Sequence, residues 1–237
     1  MTRSDGRKQN ELRPVEIIPH VNKFAEGSCL IRCGNTHVLC TASVEDDPPR
    51  HVPEGEGWVT AEYSMLPRAN RERSRRDISR LKLNGRSAEI QRLIGRSLRS
   101  VTDLKKLGPY KITIDCDVLQ GDGGTRTASV TGGFVALVLA LQKMRADGLL
   151  TEIPVTGFVA AVSAGIVGGV PALDLCYEED RDAAVDFNCV MDDRGRLIEV
   201  QGTGEERPFT LEEEEKLIEL CAGGIRELQK LQRAVLE

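Results

Sequence analysis

The stretch Val118–Leu137, VLQGDGGTRTASVTGGFVAL, leaves a strand-like alternation, passes three glycines in four residues and enters an apolar run. Upstream, in YKITIDCDVLQ, Ile112, Ile114, Cys116 and Val118 alternate with Thr113, Asp115 and Asp117, the period of two of a strand with one buried face. Downstream, the segment from Arg126 to about Arg145 is apolar on most sides up to Leu141, which predicts a deeply buried helix. A helix N-terminus presents free backbone N–H groups and a partial positive charge. Glycines at 121, 123 and 124 let an anion approach that backbone, Thr125 adds a hydroxyl, and Arg126 adds a planar fork suited to an oxyanion. The same residues also fit a tight strand-to-helix turn with Arg126 at the surface. The spacing is neither the G-x-x-x-x-G-K-[ST] nor the G-x-G-x-x-G pattern.

On the N-terminal side, SCLIRC and HVLCTASVE flank Gly34-Asn35, a two-residue hairpin signal, and GWVTAEYSM reads as a further strand. RANRERSRRD has no apolar period and reads as a loop. SAEIQRLIGRSLRSV places Ile90, Leu93, Ile94, Leu98 and Val101 on one helical face, with Arg92, Arg96 and Arg99 displaced from it. On the C-terminal side, GFVAAVSAGIVGGVPALDLCYEED reads as two strands joined near Gly168-Gly169. AAVDFNCVMDDRGRLIEVQGT reads as a hairpin turning at Asp193-Arg194-Gly195. Thr210 and Glu213 form a capping-box pattern opening a last helix that runs toward Leu236, with Gly223-Gly224 marking a break or a close packing point. Mostly antiparallel strands with grouped helices predict an α+β fold of two similar halves with no obvious linker, taken as one domain over residues 1–237.

The chain carries a net charge of -5, yet Arg68–Lys106 holds 13 lysines and arginines against four acids. That segment is +9 and the remainder -14, the signature of a localised anion-binding surface. No stretch approaches 18 uninterrupted apolar residues, so no membrane span is expected. MTRSDGRKQNELRP lacks the apolar core of a signal peptide, and a cytoplasmic location follows as the expectation. Seven cysteines without a C-x-x-C, and three histidines at no zinc spacing, are read as buried reduced thiols.

The blocks SDGRKQNELRPVEI, CTASVE, EGWVTAEYSMLPRA, NGRSAEIQRLIGRSLRSV, LQGDGGTRTASVTGG, DLCYEED, VDFN and EVQGTGEE occur in one order along the chain. In that order they resemble the ribonuclease PH family of phosphate-dependent 3'-to-5' exoribonucleases over essentially the full length. The resemblance implies an α+β fold of two βαβ-type halves, with mixed sheets, flanking helices and a left-handed crossover. It implies a homohexameric ring, a trimer of dimers, that trims the 3' ends of transfer RNA precursors. Phosphate binding falls on Arg86, Gly124, Thr125 and Arg126, and catalysis on the carboxylates Asp180 and Asp186.

Residue chemistry can be set beside each role. Asp180 ends the acidic run Glu178-Glu179-Asp180, whereas Asp186 stands between Val185 and Phe187; unaided, the pair reads as a solvated acid and a turn cap. Two close carboxylates can hold Mg2+ through oxygen, and one can act as general acid to a departing ribose 3'-oxygen. Asp182, between them, is expected to be exposed. Arg86 follows Asn84-Gly85 at a helix start, placed for an anion or for a surface ion pair. Arg68, Arg71, Arg73, Arg75 and Arg76 suit RNA phosphates, since charge neutralisation needs no base reading. Tyr63 and Phe187 could stack on a base but sit in strand-like runs that favour the core. A water-using exonuclease, a non-catalytic ring subunit and a small-molecule phosphate enzyme are the competing functions.

Overall fold

Gly34, at φ +55°, turns β2 (Gly27–Cys33) back on β3 (Thr36–Glu45), and this hairpin is the centre of the first sheet. The computed structural model describes residue 3, residues 5–76 and residues 84–237. Ser4 of the first family-like block, and Asp77, Arg80 and Lys82 of the basic segment, lie outside the described residues. β1 (Val15–Pro19) pairs with β2, β3 pairs with β5 (Lys111–Gln120), and β4 (Trp58–Met65) closes the order β1-β2-β3-β5-β4. The second sheet runs β7 (Val170–Leu173), β6 (Val159–Val167), β8 (Ala183–Asp192), β9 (Leu197–Gly204), antiparallel throughout.

Six of the seven strand pairings are antiparallel, as the residue pattern predicts, and the seventh makes the first sheet mixed, as the resemblance implies; only the grouping of the helices needs correction. β4 and β5 are parallel, and parallel neighbours require a crossover. α1 (Gly85–Arg99) and the short α2 (Leu104–Leu107) supply it, so the helices interleave with the strands. In the second half β7 and β8 flank β6, both antiparallel to it, and the connection between them carries the five-residue α4 (Tyr177–Arg181). Each half therefore contains a strand–helix–strand unit.

α3 (Thr125–Ala146) lies between the two sheets, packed on β2 and β3 from one side and β6 from the other. Its apolar circumference follows from that position, since a helix covered all round has no polar face to present. It is also the one described helix long and apolar enough to cross a membrane, and here it is core. Gly132 permits the approach: a Cβ there would stand 2.7 Å from Ile31 Cγ2 and 2.9 Å from Cys40 Sγ. α1 buries Ile90, Leu93, Ile94 and Leu98, the predicted face. α5 (Leu211–Leu236) starts at the Thr210–Glu213 capping box and covers the second sheet without a break. Of its glycine pair, Gly224 is a close packing point, 3.0 Å from Leu173 Cδ2 measured from an added Cβ.

Cys29, Cys40 and Cys116 are register neighbours across β2, β3 and β5 beneath α3. Six of the seven cysteines are buried, no disulfide is present, and Cys176, at the start of α4, is half-buried. Burial and the Asp174 carboxylate push the Cys33 thiol up to about 12.

Candidate active site

The strand β5 ends at Gln120, and the glycine loop then carries the chain to the mouth of α3. Gly123 and Gly124 sit at φ +75° and +65°, a conformation that glycine adopts without Cβ strain. At Gly123 a Cβ would also collide with the Leu175 carbonyl, so the loop closes directly on the segment leading into α4. Gly124 is the N-cap of α3 and, among the described residues, no side chain caps that helix. Its first-turn N–H groups remain as donors.

A cavity of about 450 Å³ opens there. Gly121, Gly123, Gly124 and Thr125 form one wall, Arg86 and Asn84 a second, and Asp180 with Tyr177 a third; Arg75 reaches its rim. Arg86 is exposed in the first turn of α1, whose N-cap Asn84 accepts from the Arg86 N–H at 3.1 Å. Thr125 Oγ1 lies 2.9 Å from the Tyr63 hydroxyl. Tyr63 and Phe187 are core residues, 3% and 0% exposed, and neither offers a face to a base.

Arg126 stands beside this cavity, its side chain 15% exposed. Its Nη1 donates to Gln201 Oε1 at 2.7 Å and lies 3.6 Å from Glu89 Oε1. Burial raises the Asp180 carboxyl above the ordinary aspartate value, opposed by the positive charges of Arg86 and Arg126. Burial likewise raises Asp186, and the Asp180 charge raises it further, again opposed by Arg126 and Arg86. Asn188 Nδ2 donates to Asp186 Oδ1 at 3.2 Å. The four charged groups singled out in the sequence thus share one electrostatic environment. Asp182 instead faces solvent, paired with Arg181 at 2.7 Å.

The arginine loop divides between two hollows. Arg75 borders the cavity just described; Arg68 and Arg71 line a neighbouring hollow of about 660 Å³ that shares Asn70 and Gly121 with it. Arg73 and Arg76 are exposed, and Arg71 pairs with Glu178 at 3.0 Å.

Several contributors escaped the sequence reading. Tyr177 is 45% exposed at the cavity, with the Arg71 guanidinium 5.7 Å from its ring centroid. Gln201 and Glu89 orient Arg126 from β9 and α1. Arg13 and Asp174, ion-paired at 2.6 Å, underlie the glycine loop. The one available signal for the last two was a charged residue inside an otherwise apolar or turn-forming stretch, as in LRPVEI and PALDLC.

Among the described residues no group of three or more His, Cys, Asp or Glu is placed to hold a metal ion; the site offers the Asp180–Asp186 pair, with the Glu205 charge acting on both. Such a hard-oxygen pair suits Mg2+, which keeps several waters and takes one or two protein carboxylates together with substrate phosphates. Two arginines and a set of backbone donors can neutralise anions brought together there, and the two desolvated carboxyls can hold a cation or a proton beside them.

The sequence matches the 3' exoribonuclease family, RNase PH domain 1, over residues 11–141 and domain 2 of that family over residues 157–222. Among solved structures, rice (Oryza sativa) Rrp46 aligns at 18% identity over 99% of this chain and 100% of its own, with a TM-score of 0.81. An archaeal exosome core aligns at 24% identity, covering 98% and 91%, with a TM-score of 0.79. The Archaeoglobus fulgidus exosome with RNA bound to the active site aligns at 25% identity, covering 96% and 91%, with a TM-score of 0.81.

Proposed function

We propose that this chain, which belongs to the RNase PH family of 3' exoribonucleases, shortens RNA from its 3' end with inorganic phosphate as the nucleophile. The observation that carries the reading is the cavity in which Arg86, the Gly123–Thr125 backbone and Asp180 meet, with Arg126 and Asp186 in its field. Water as nucleophile would need no second anion subsite; a phosphate beside a scissile phosphodiester does.

In the proposed reaction a phosphate oxygen attacks the phosphorus of the last phosphodiester. The bond to the 3'-oxygen of the penultimate nucleotide breaks in line, and a nucleoside diphosphate leaves. Arg86, Arg126 and the loop N–H groups hold the nucleophile and neutralise it. One carboxyl of the Asp180–Asp186 pair, both raised above the ordinary aspartate value by burial, is the proposed general acid to the departing 3'-oxygen. Asp180 and Asp186 would hold Mg2+ through their oxygens, and the ion would add charge neutralisation. A phosphodiester and a phosphoanhydride are close in free energy, so the reaction runs backward when diphosphates exceed phosphate. Transfer RNA 3' ends are the proposed substrates and a homohexameric trimer of dimers the proposed assembly. Arg68, Arg71, Arg73, Arg75 and Arg76 provide the exposed cations for the RNA backbone.

The exosome neighbours raise a second reading, a non-catalytic ring component. Arg86 and Asp180 on one cavity, with Arg126 and Asp186 in the same electrostatic field, favour the enzyme. Incubating the protein and Mg2+ with transfer RNA precursor, with and without phosphate, decides. Diphosphate release that depends on phosphate supports the proposal; monophosphates released without phosphate leave a hydrolase, and no shortening leaves the ring component.

A further inference from the structure

Glycine has more conformational freedom to lose on folding than any other residue, and this loop has three in four positions. What fixes it lies in the N-terminal segment. Arg13 is 5% exposed. Its backbone N–H and Nε donate to Asp174 Oδ2 at 2.8 and 3.0 Å, and Nη2 donates to Asp174 Oδ1 at 2.6 Å. The rest of the fork turns to the loop, Nη1 donating to the Asp122 carbonyl and Nη2 to the Gly123 carbonyl at 3.4 Å. Thr36 Oγ1 donates to the same Gly123 carbonyl at 2.6 Å and accepts from the Asp122 N–H at 2.9 Å.

In a planar trans peptide the C=O and the following N–H point in opposite directions. Carbonyls of Asp122 and Gly123 drawn toward Arg13 and Thr36 therefore turn the N–H groups of Gly123 and Gly124 the other way. Gly123, Gly124 and Thr125 line the cavity that Arg86 and Asp180 share. Asp174 itself sits at φ +52°, unusual for a residue with a Cβ, and its carbonyl accepts from Arg3 at 3.0 Å and Arg7 at 3.1 Å. Arg3 also holds Glu179, the residue before Asp180, at 2.6 Å. One short segment thus grips the loop wall and the carboxylate wall together.

We propose that Arg13 is a positioning residue: clamped by Asp174, it sets the loop N–H groups toward inorganic phosphate without touching phosphate or RNA. The inference rests on the phosphate-dependent reading of the site.

The test measures the rate of shortening of a short RNA against inorganic phosphate for wild type, Arg13→Lys and Thr36→Val, with RNA affinity measured separately. Lysine keeps the charge but cannot serve Asp174 and two carbonyls at once. Arg13→Lys should raise the KM for phosphate roughly tenfold or more, the scale of lost charge-assisted hydrogen bonds, and Thr36→Val should raise it less. RNA affinity should stay within about twofold of wild type, since no exposed cation changes. An unchanged phosphate KM in Thr36→Val and in any folded Arg13→Lys overturns the proposal. So does a parallel loss of RNA affinity, which would mean general loosening. If Arg13→Lys does not fold, Thr36→Val decides alone. Wild type that works equally without phosphate overturns the underlying reading, and that outcome is visible before any variant is made.

Discussion

The side-chain oxygen of Gln201 accepts a hydrogen bond from Arg126 Nη1 at 2.7 Å, so the arginine at the mouth of α3 is oriented by the second sheet. Gln201 Nε2 in turn donates to Glu89 Oε1 at 3.1 Å and to Glu199 Oε1 at 3.0 Å. A neutral amide in this place holds the guanidinium without adding to the negative charge that Glu89 already brings to 3.6 Å. Gln201→Glu would supply a competing carboxylate and should raise the phosphate KM roughly tenfold, the scale of a charge-assisted hydrogen bond. Gln201→Ala should raise it less. Initial rates over a phosphate series check this; equal effects would show that charge competition is not what matters.

Asp186→Asn should fold normally and lose at least about 10²-fold in turnover, the scale of a lost acid or metal-ligand role. Asp182→Asn, whose parent faces solvent beside Arg181, should keep near-wild-type activity. Single-turnover rates separate the two, and equal rates for wild type and Asp186→Asn would remove Asp186 from the chemistry.

Stability should respond to pH with opposite signs at two buried aspartates. Burial raises Asp186 in the folded state, so the stability this group contributes is present below its unfolded value and lost as pH rises through the raised one. In metal-free buffer, Asp186→Asn should therefore melt at the same or a higher temperature than wild type at neutral pH. Asp174 is lowered in spite of burial, by the charge and hydrogen bonds of Arg13. Its contribution is present above its unfolded value and lost as pH falls through the lowered one. Asp174→Asn should melt well below wild type at neutral pH, the gap narrowing toward acid. Melting curves across pH check both signs.

Replacing Arg71, Arg73, Arg75 and Arg76 with alanine should weaken RNA binding and flatten its salt dependence, because fewer counterions are released. The Arg71–Glu178 pair is solvent-exposed, and its loss should cost about 0.5 kcal/mol or less. Transfer RNA precursor should be affected more than a very short RNA. A salt slope equal to wild type would mean that the loop does not meet the backbone.

Period and turn chemistry carried most of the fold. The alternation of Ile112, Ile114, Cys116 and Val118, the Gly34-Asn35 hairpin and the Thr210–Glu213 cap are local signals, and each sits where it was read. The parallel β4–β5 pair was hidden from the residue pattern, though not from the family resemblance, because pairing direction is a long-range property that neither strand encodes. The site shows the same division. Gly124, Thr125 and Arg126 are contiguous and could be read together. Arg13 meets Asp174 across 161 residues, and Gln201 meets Arg126 across 75, so only the folded chain reveals what holds the loop and the arginine.

The distribution of thiols makes the protein its own optical probe. Six cysteines are sealed in the core and can react with a thiol reagent only when the structure opens, so their labelling rates report the free energy of that opening. Cys176 is half-buried and begins α4, the helix that carries Asp180, and its backbone N–H donates to Glu179 at 3.2 Å. Its labelling is thus a clock for the carboxylate wall alone, running separately from global unfolding and slowing whenever something bound in the cavity holds that wall closed.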